Sequence, residues 1–195
     1  MTVYLASQSP RRKELLGYLL DDFHVSPADI DESVEAGENP QQYVMRMAKT
    51  KAKAGWQKLA DKHRSNWVIG SDTVVVHGDN ILGKPKDYPD SLRILRMLSA
   101  TEHQVMTAVC LYNGEQQLLE LVITDVEFAA LTDAQIYHYW HTGEPQDKAG
   151  SYGIQGIGGQ FVKRINGSYS NVVGLPLCEM RSLLMKASIK IAGSE

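Results

Sequence analysis

The sequence predicts a mixed β-sheet with flanking helices, an α/β or α+β arrangement, on three observations. Strand-length apolar segments and amphipathic helical segments occur in both halves of the chain, without the strict alternation of an all-parallel sheet. Asn113-Gly114 and Asn166-Gly167 each separate two β-rich runs in the manner of a hairpin turn. The 195 residues (21.7 kDa), 43% of them apolar and 22% charged, suffice for one full core or for two small lobes sharing a cleft.

Residues 3–6 form a short apolar run that fits a buried strand and leads directly into Ser7-Gln8-Ser9-Pro10-Arg11-Arg12. A helix is expected there, because Ser9 is a good N-cap, Pro10 suits the first helical position, and Leu15, Leu16, Leu19 and Leu20 supply an apolar stripe. Residues 23–25 read as a second short strand, followed by the acidic segment Asp29-Ile30-Asp31-Glu32 and a polar loop to Pro40. The next helix spans residues 40–59. At about 100° per residue, Tyr43, Val44, Met47, Ala48, Ala54 and Gly55 share one side and Arg46, Lys49, Lys53 and Gln57 the other, with Lys51 in the middle of the apolar side.

Residues 67–76 are a near-continuous apolar run interrupted by Ser71-Asp72-Thr73. His77-Gly78-Asp79-Asn80 is a turn before Ile81-Leu82, and Gly83-Lys84-Pro85 closes this hairpin-like unit. A helix over 89–98, strands over 103–112 and 118–128, and a helix over 133–142 follow. Six of the 16 glycines fall within 143–159, a long irregular segment around Tyr152 and Gln155 of the kind that usually carries function. Residues 161–165 and 169–173 are expected to pair as a hairpin, Pro176 to open a last helix ending near Ala187, and 188–195 to form a loosely held tail.

Composition excludes several classes of function. Mean hydropathy is −0.27, and no stretch approaches the roughly 18–20 uninterrupted apolar residues of a membrane span. The first residues place their apolar side chains before their charges, unlike a secretory signal, so the chain is expected to stay in the cytoplasm. A net charge of −3 gives no overall field toward nucleic acid or anionic lipid, so any bound anion must be met locally. Cys110 and Cys178 are far apart in sequence and are expected as reduced core thiols.

Four features point to chemistry. At Ser7 to Arg12, helix-start amides, the positive end of the helix dipole and two arginines converge, which suits phosphate; capping alone would explain Ser9 and Pro10 but not two cations in a turn where the dipole disfavours them. Lys51 must either find an anionic partner or extend its ammonium to water. Asp72, within an apolar run, needs a cation or donors nearby, unless Gly70-Ser71-Asp72-Thr73 is an exposed turn. Asp31 and Glu32 could join Asp72 as hard oxygen ligands for Mg²⁺ or Mn²⁺. Lys84 gains weight only beside the others. His138 and His141 have no third metal ligand at a recognisable spacing and are expected on a partly exposed helix face.

Together, Ser7-Gln8-Ser9-Pro10-Arg11-Arg12, Asp31-Glu32, Lys51, Gly70-Ser71-Asp72-Thr73, Gly83-Lys84-Pro85 and Gly153-Ile154-Gln155-Gly156 resemble the ordered motif set of the Maf family, over residues 3–185. The resemblance implies a fold similar to that of inosine triphosphate pyrophosphatases, with one domain over 1–187 whose two lobes flank a central cleft, then the tail 188–195. It implies a house-cleaning nucleoside triphosphate pyrophosphatase, commonly a homodimer, that splits the α–β phosphate link to a nucleoside monophosphate and pyrophosphate. One branch of the family, favouring 7-methyl-GTP, carries Trp, Gln and Glu where this sequence has Arg11, Thr73 and Gln155, so these three resemble the branch acting on dTTP and UTP.

By the same resemblance, Arg11, Arg12, Lys51 and Lys84 clamp the triphosphate, and Ser7 positions phosphate oxygens. Glu32 and Asp72 hold Mg²⁺ or Mn²⁺, Asp72 also takes a proton from the attacking water, and Thr73 and Gln155 meet a pyrimidine edge. The family was also named for inhibition of septum formation, so one alternative is a nucleotide-binding regulator of cell division without turnover, and another is the same chemistry on 7-methyl-GTP.

Overall fold

In the computed structural model, which describes residues 2–193, the chain builds one seven-stranded mixed sheet. The strands are β1 (Val3–Leu5), β2 (His24–Val25), β3 (Trp67–His77), β4 (Asn80–Leu82), β5 (Glu102–Tyr112), β6 (Gln117–Phe128) and β7 (Val162–Asn166). Their order is β2-β1-β3-β5-β6-β7, with β4 paired to β3 alone. The helices are α1 (Pro10–Gly17), α2 (Pro40–Gln57), α3 (Tyr88–Leu98), α4 (Asp133–His141), α5 (Tyr169–Val173) and α6 (Leu177–Lys186). The mixed α/β class expected from the sequence is the one observed.

One edge of β3 is shared by two short partners, and this opens the sheet. β1 runs parallel to Val3↔Trp67 through Leu5↔Ile69, while β4 runs antiparallel from Val75↔Leu82 to His77↔Asn80. Between them, Gly70 to Val74 pair only with β5, on the other side. The loop after β1 and the turn after β4 therefore flank a gap whose floor is Gly70-Ser71-Asp72-Thr73, a segment of continuous strand and not a turn.

Side chains alternate across a strand, so the two faces of β3 receive different residues. On one face, Trp67 and Ile69 join Val109, Leu111 and Leu16 in one apolar cluster, and Val75 joins Val105, Ile94, Leu95 and Ile136 in another. The polar side chains of Ser71, Thr73 and Thr107 lie at register positions between these two apolar clusters. On the opposite face, Val74, Val76, Met106, Ala108 and Cys110 pack on Tyr43, Val44, Met47 and Ala48 of α2. Gly70 sets how close that helix lies, since a Cβ there would overlap the Ala48 carbonyl oxygen and stand 2.5 Å from the Ala52 nitrogen.

Three expectations are corrected. Residues 169–173 form helix α5 instead of a strand: Ser168 caps it by accepting from the Asn171 amide, and buried Asn171 donates to the Val105 carbonyl and to Thr124 Oγ1, each at 2.9 Å. β7 pairs instead with β6. Cys178 is exposed on α6, whereas Cys110 is buried as expected. The C-terminal segment is not loose as far as it is described: Ile189 and Ile191 are buried in the cluster of β1 and α1, and the Ala192 amide donates to the Leu19 carbonyl at 2.8 Å. The rest of the expected tail, Ser194 and Glu195, lies outside the described residues, as does Met1.

Candidate active site

The loop from β1 into α1 forms one wall of the gap. Ser9 caps α1, its side chain accepting from the Arg12 amide, and Pro10 occupies the first turn. The capping leaves Arg12 pointing back across the loop, where Nη1 donates to Ser7 Oγ at 3.3 Å, Nη2 to Thr73 Oγ1 at 3.0 Å, and Nε to the Gly174 carbonyl at 2.9 Å. The guanidinium is thus fixed by three elements. Burial lowers its pKa, Asp72 opposes that, Arg11 adds to it and Glu32 opposes it again, so both carboxylates and the second arginine act within its field.

The floor and the opposite wall supply the charges. Lys51 lies on the buried side of α2, 9% exposed, among Val44, Met47, Ala48 and Ala52. Its Nζ donates to Asp72 Oδ1 at 2.7 Å and stands 2.7 Å from Glu32 Oε1. Asp72 is 8% exposed. Each buried charge thereby has a counter-ion, as burial demands; removing one partner of such a pair costs about 3–5 kcal/mol. The close approach of α2 at Gly70 is what brings an ammonium on a helix to a carboxylate on the neighbouring strand.

Glu32 stands on the loop before α2 and is more open. Burial raises its carboxyl, but the hydrogen bond and charge of Lys51, with the charges of Lys84 and Arg12, prevail and hold it below the usual carboxylate range. Lys84, exposed on the turn after β4, therefore belongs to the same electrostatic neighbourhood. Tyr43 keeps this loop in place, its hydroxyl donating to the Glu32 carbonyl at 2.8 Å. Burial, with Asp72 and Glu32 nearby, pushes that phenol up to about 12. Sequence periodicity marks Tyr43 only as a core residue and gives no sign of this role.

Thr73 lies on the face of β3 opposite Asp72. Its hydroxyl accepts from Arg12 and stands 3.0 Å from Thr107 Oγ1, which itself donates to the Asn171 carbonyl at 2.9 Å. Much of its hydrogen-bonding capacity is thus engaged in holding Arg12.

Gln155 is exposed on the irregular segment beyond α4, outside the Lys51 cluster. Several contacts tie that region to the rest, among them Ser151 Oγ with Ser91 Oγ at 2.6 Å and the Tyr152 hydroxyl with His103 Nε2 at 2.8 Å, and two of them reach the loops that flank the gap. The Gly150 amide donates to the Gly83 carbonyl at 3.1 Å, joining it to the turn of Lys84, and Arg11 Nη1 stands 3.9 Å from Asp147 Oδ2. Asp31 is exposed and accepts from the Ser33 amide at 2.9 Å. His138 and His141 are exposed on α4.

Among the described residues no group of three or more His, Cys, Asp and Glu side chains is set to hold a metal ion. Glu32 and Asp72, meeting at one ammonium, are nonetheless a pair of hard oxygen donors of the kind that Mg²⁺ takes when substrate phosphate and water complete its shell. Also among the described residues, no helix is long and apolar enough to cross a membrane.

A family model described as Maf-like protein matches residues 2–187. The chain is 54% identical over 185 residues to a dTTP/UTP pyrophosphatase of Pseudoalteromonas atlantica, covering 95% of this chain and 96% of that one. It is 53% identical over 186 residues to a protein of the same name from Vibrio parahaemolyticus, covering 95% and 97%. A third, from Shewanella oneidensis, is 52% identical over 195 residues, covering 97% and 100%.

Proposed function

This chain belongs to the Maf family, and from that premise we propose that it is a nucleoside triphosphate pyrophosphatase that converts dTTP and UTP to the nucleoside monophosphate and pyrophosphate. The observation that carries the reading is the ammonium of Lys51 shared by Asp72 and Glu32 at 2.7 Å each, on the floor of a gap walled by Arg12. A triphosphate carries about four negative charges, and stabilising it as the anhydride breaks takes several fixed cations. Arg11, Arg12, Lys51 and Lys84 fill that role, and Ser7 with its neighbouring amides orients phosphate oxygens.

Water is added across the α–β anhydride; its proton passes to Asp72 and pyrophosphate leaves. Lys51 orients the Asp72 carboxylate through Oδ1, so the second oxygen is the one assigned to the proton. Glu32 and Asp72 would hold a divalent ion, Mg²⁺ or Mn²⁺, which when bound supplies charge neutralisation at the phosphates. Thr73 contributes by anchoring Arg12, and Gln155, offering both a donor and an acceptor, meets the pyrimidine edge.

The test is pyrophosphate release from purified protein with Mg²⁺ and a panel of dTTP, UTP, CTP and 7-methyl-GTP. Release from dTTP and UTP ahead of the others is expected. Nucleotide binding without release would make the chain a regulator, and preference for 7-methyl-GTP would overturn the assignment to the dTTP and UTP branch and with it the role of Gln155. A cytoplasmic homodimer belongs to the same reading, on the family resemblance; light scattering should give twice the 21.7 kDa chain mass, and a monomer would remove that part.

A further inference from the structure

Gln155 sits in a stretch with little regular hydrogen bonding of its own, closed by turn bonds from the Gly156 amide to the Gly153 carbonyl and from the Gly159 amide to the Gly156 carbonyl. What holds the stretch is a side chain outside it. Glu144 opens the 3₁₀ turn Glu144–Asp147 just after α4. Its carboxylate accepts three hydrogen bonds: from the Ile157 amide on Oε2 at 2.8 Å, and from the Gly158 amide and the Tyr139 hydroxyl on Oε1 at 3.0 and 2.7 Å. The Tyr139 oxygen accepts in turn from the Gly153 amide at 3.0 Å. Both ends of the Gln155 stretch therefore hang from one carboxylate and one phenol.

The glycines around Gln155 are the complement of this arrangement. A Cβ at Gly156 would overlap the Glu144 carboxylate, and one at Gly158 would lie 2.5 Å from the Tyr139 hydroxyl. Tyr139 is itself immobilised, 2% exposed and edge-on to Phe161 at 5.0 Å. Burial works against ionisation of Glu144, but the bonds from Gly158, Tyr139 and Ile157 and the charge of Lys148 outweigh it and keep the carboxyl below its ordinary range. A carboxylate, which only accepts, suits three donors; an amide would turn an NH₂ toward one of them. The same turn carries Asp147, 3.9 Å from Arg11.

We propose that Glu144, acting with Tyr139, is the positioning residue that fixes the Gln155 stretch and so sets the base selectivity of the cleft. Neither residue touches the nucleotide; the proposal rests on the reading that Gln155 does.

The test compares wild type, Glu144→Gln, Tyr139→Phe and Gln155→Ala in kcat and KM for dTTP and dATP, in inhibition by inorganic triphosphate, and in amide exchange at Ile157 and Gly158. For Glu144→Gln we expect faster exchange at both amides, a KM for dTTP about tenfold higher, a kcat within about twofold, and a dTTP over dATP preference reduced about fivefold or more. Triphosphate, which has no base, should inhibit as before. Tyr139→Phe should move the same quantities less, and it carries the test should Glu144→Gln fail to fold. An unchanged preference in folded Glu144→Gln or Tyr139→Phe, with Gln155→Ala altered, overturns the proposal while leaving Gln155 its role. Equal loss for dTTP and triphosphate overturns it as a general structural effect. An unchanged preference in Gln155→Ala overturns the reading of Gln155, and the proposal with it.

Discussion

The Lys51 cluster and the Gln155 stretch hold their polar groups by different means. At one, Asp72 stands on β3, Lys51 on α2 and Arg12 on α1, each side chain buried or tied by several bonds, and the 2.7 Å contact of Lys51 with Asp72 follows from how closely a helix lies on a strand. At the other, Gln155 is exposed on a glycine-rich stretch whose shape depends on Glu144 and Tyr139. Charges mounted on regular elements are preorganised and need little rearrangement when a polyanion arrives. Selectivity mounted on a turn can be altered without disturbing them. Damage at the first should therefore cost turnover and stability together, and damage at the second should cost discrimination.

The largest expected effect tests the Lys51 cluster. Asp72→Asn should lower kcat by about a thousandfold or more, with nucleotide affinity within a few-fold by calorimetry. Unchanged turnover would remove Asp72 from the chemistry. Lys51→Met comes next: it leaves two carboxylates facing each other unpaired, and should cost about 3 kcal/mol in urea unfolding with at least about a hundredfold in kcat. If stability holds while turnover falls, the pair serves the reaction alone and the coupling between fold and chemistry is broken.

Gly70→Ala probes the same coupling without touching a charge. The added methyl must push α2 away from β3, so a loss of about 1–3 kcal/mol is expected together with reduced turnover. A variant as stable and active as wild type would mean the spacing does not matter.

The smallest effect concerns the loop region and pH. His103 is buried on β5, its Nε2 2.8 Å from the Tyr152 hydroxyl. Burial, with a lesser contribution from His77, pushes its pKa down to about 4. The native state disfavours the protonated ring, so this contribution to stability is whole above an unfolded pKa of about 6.5 and fades as pH falls toward 4. Between pH 7 and 5.5 the loss should be about 1 kcal/mol, and His103→Gln should flatten that part of the profile. A profile that keeps its slope in the variant would assign it to other groups.

Much of the charged cluster was legible in the sequence because its signals are local. Ser9 and Pro10 mark a helix start, the helical projection puts Lys51 on the apolar side, and the valines after Thr73 argue against a turn at Asp72. Their meeting in space is not local, and the ordered motifs of the family supplied that expectation. The split between β1 and β4 along one edge of β3, which opens the gap over Asp72, depends on pairings that no short window contains. Residues 169–173 have a strand's composition, yet a cap at Ser168 and a buried Asn171 bonded to β5 and β6 decide for a helix. Ile189 and Ile191 look like the end of a chain until the groove they fill is known. Glu144 reads as an ordinary loop acid, because its three donors come from backbone amides and a tyrosine that spacing does not connect to it.

The central claim is that this cleft breaks the α–β link of a pyrimidine nucleoside triphosphate. Phosphorus-31 NMR of dTTP turning over with the wild-type protein and Mg²⁺ tests it most directly. Equal amounts of dTMP and pyrophosphate are predicted, while dTDP with inorganic phosphate, or intact dTTP bound to the protein, would contradict it.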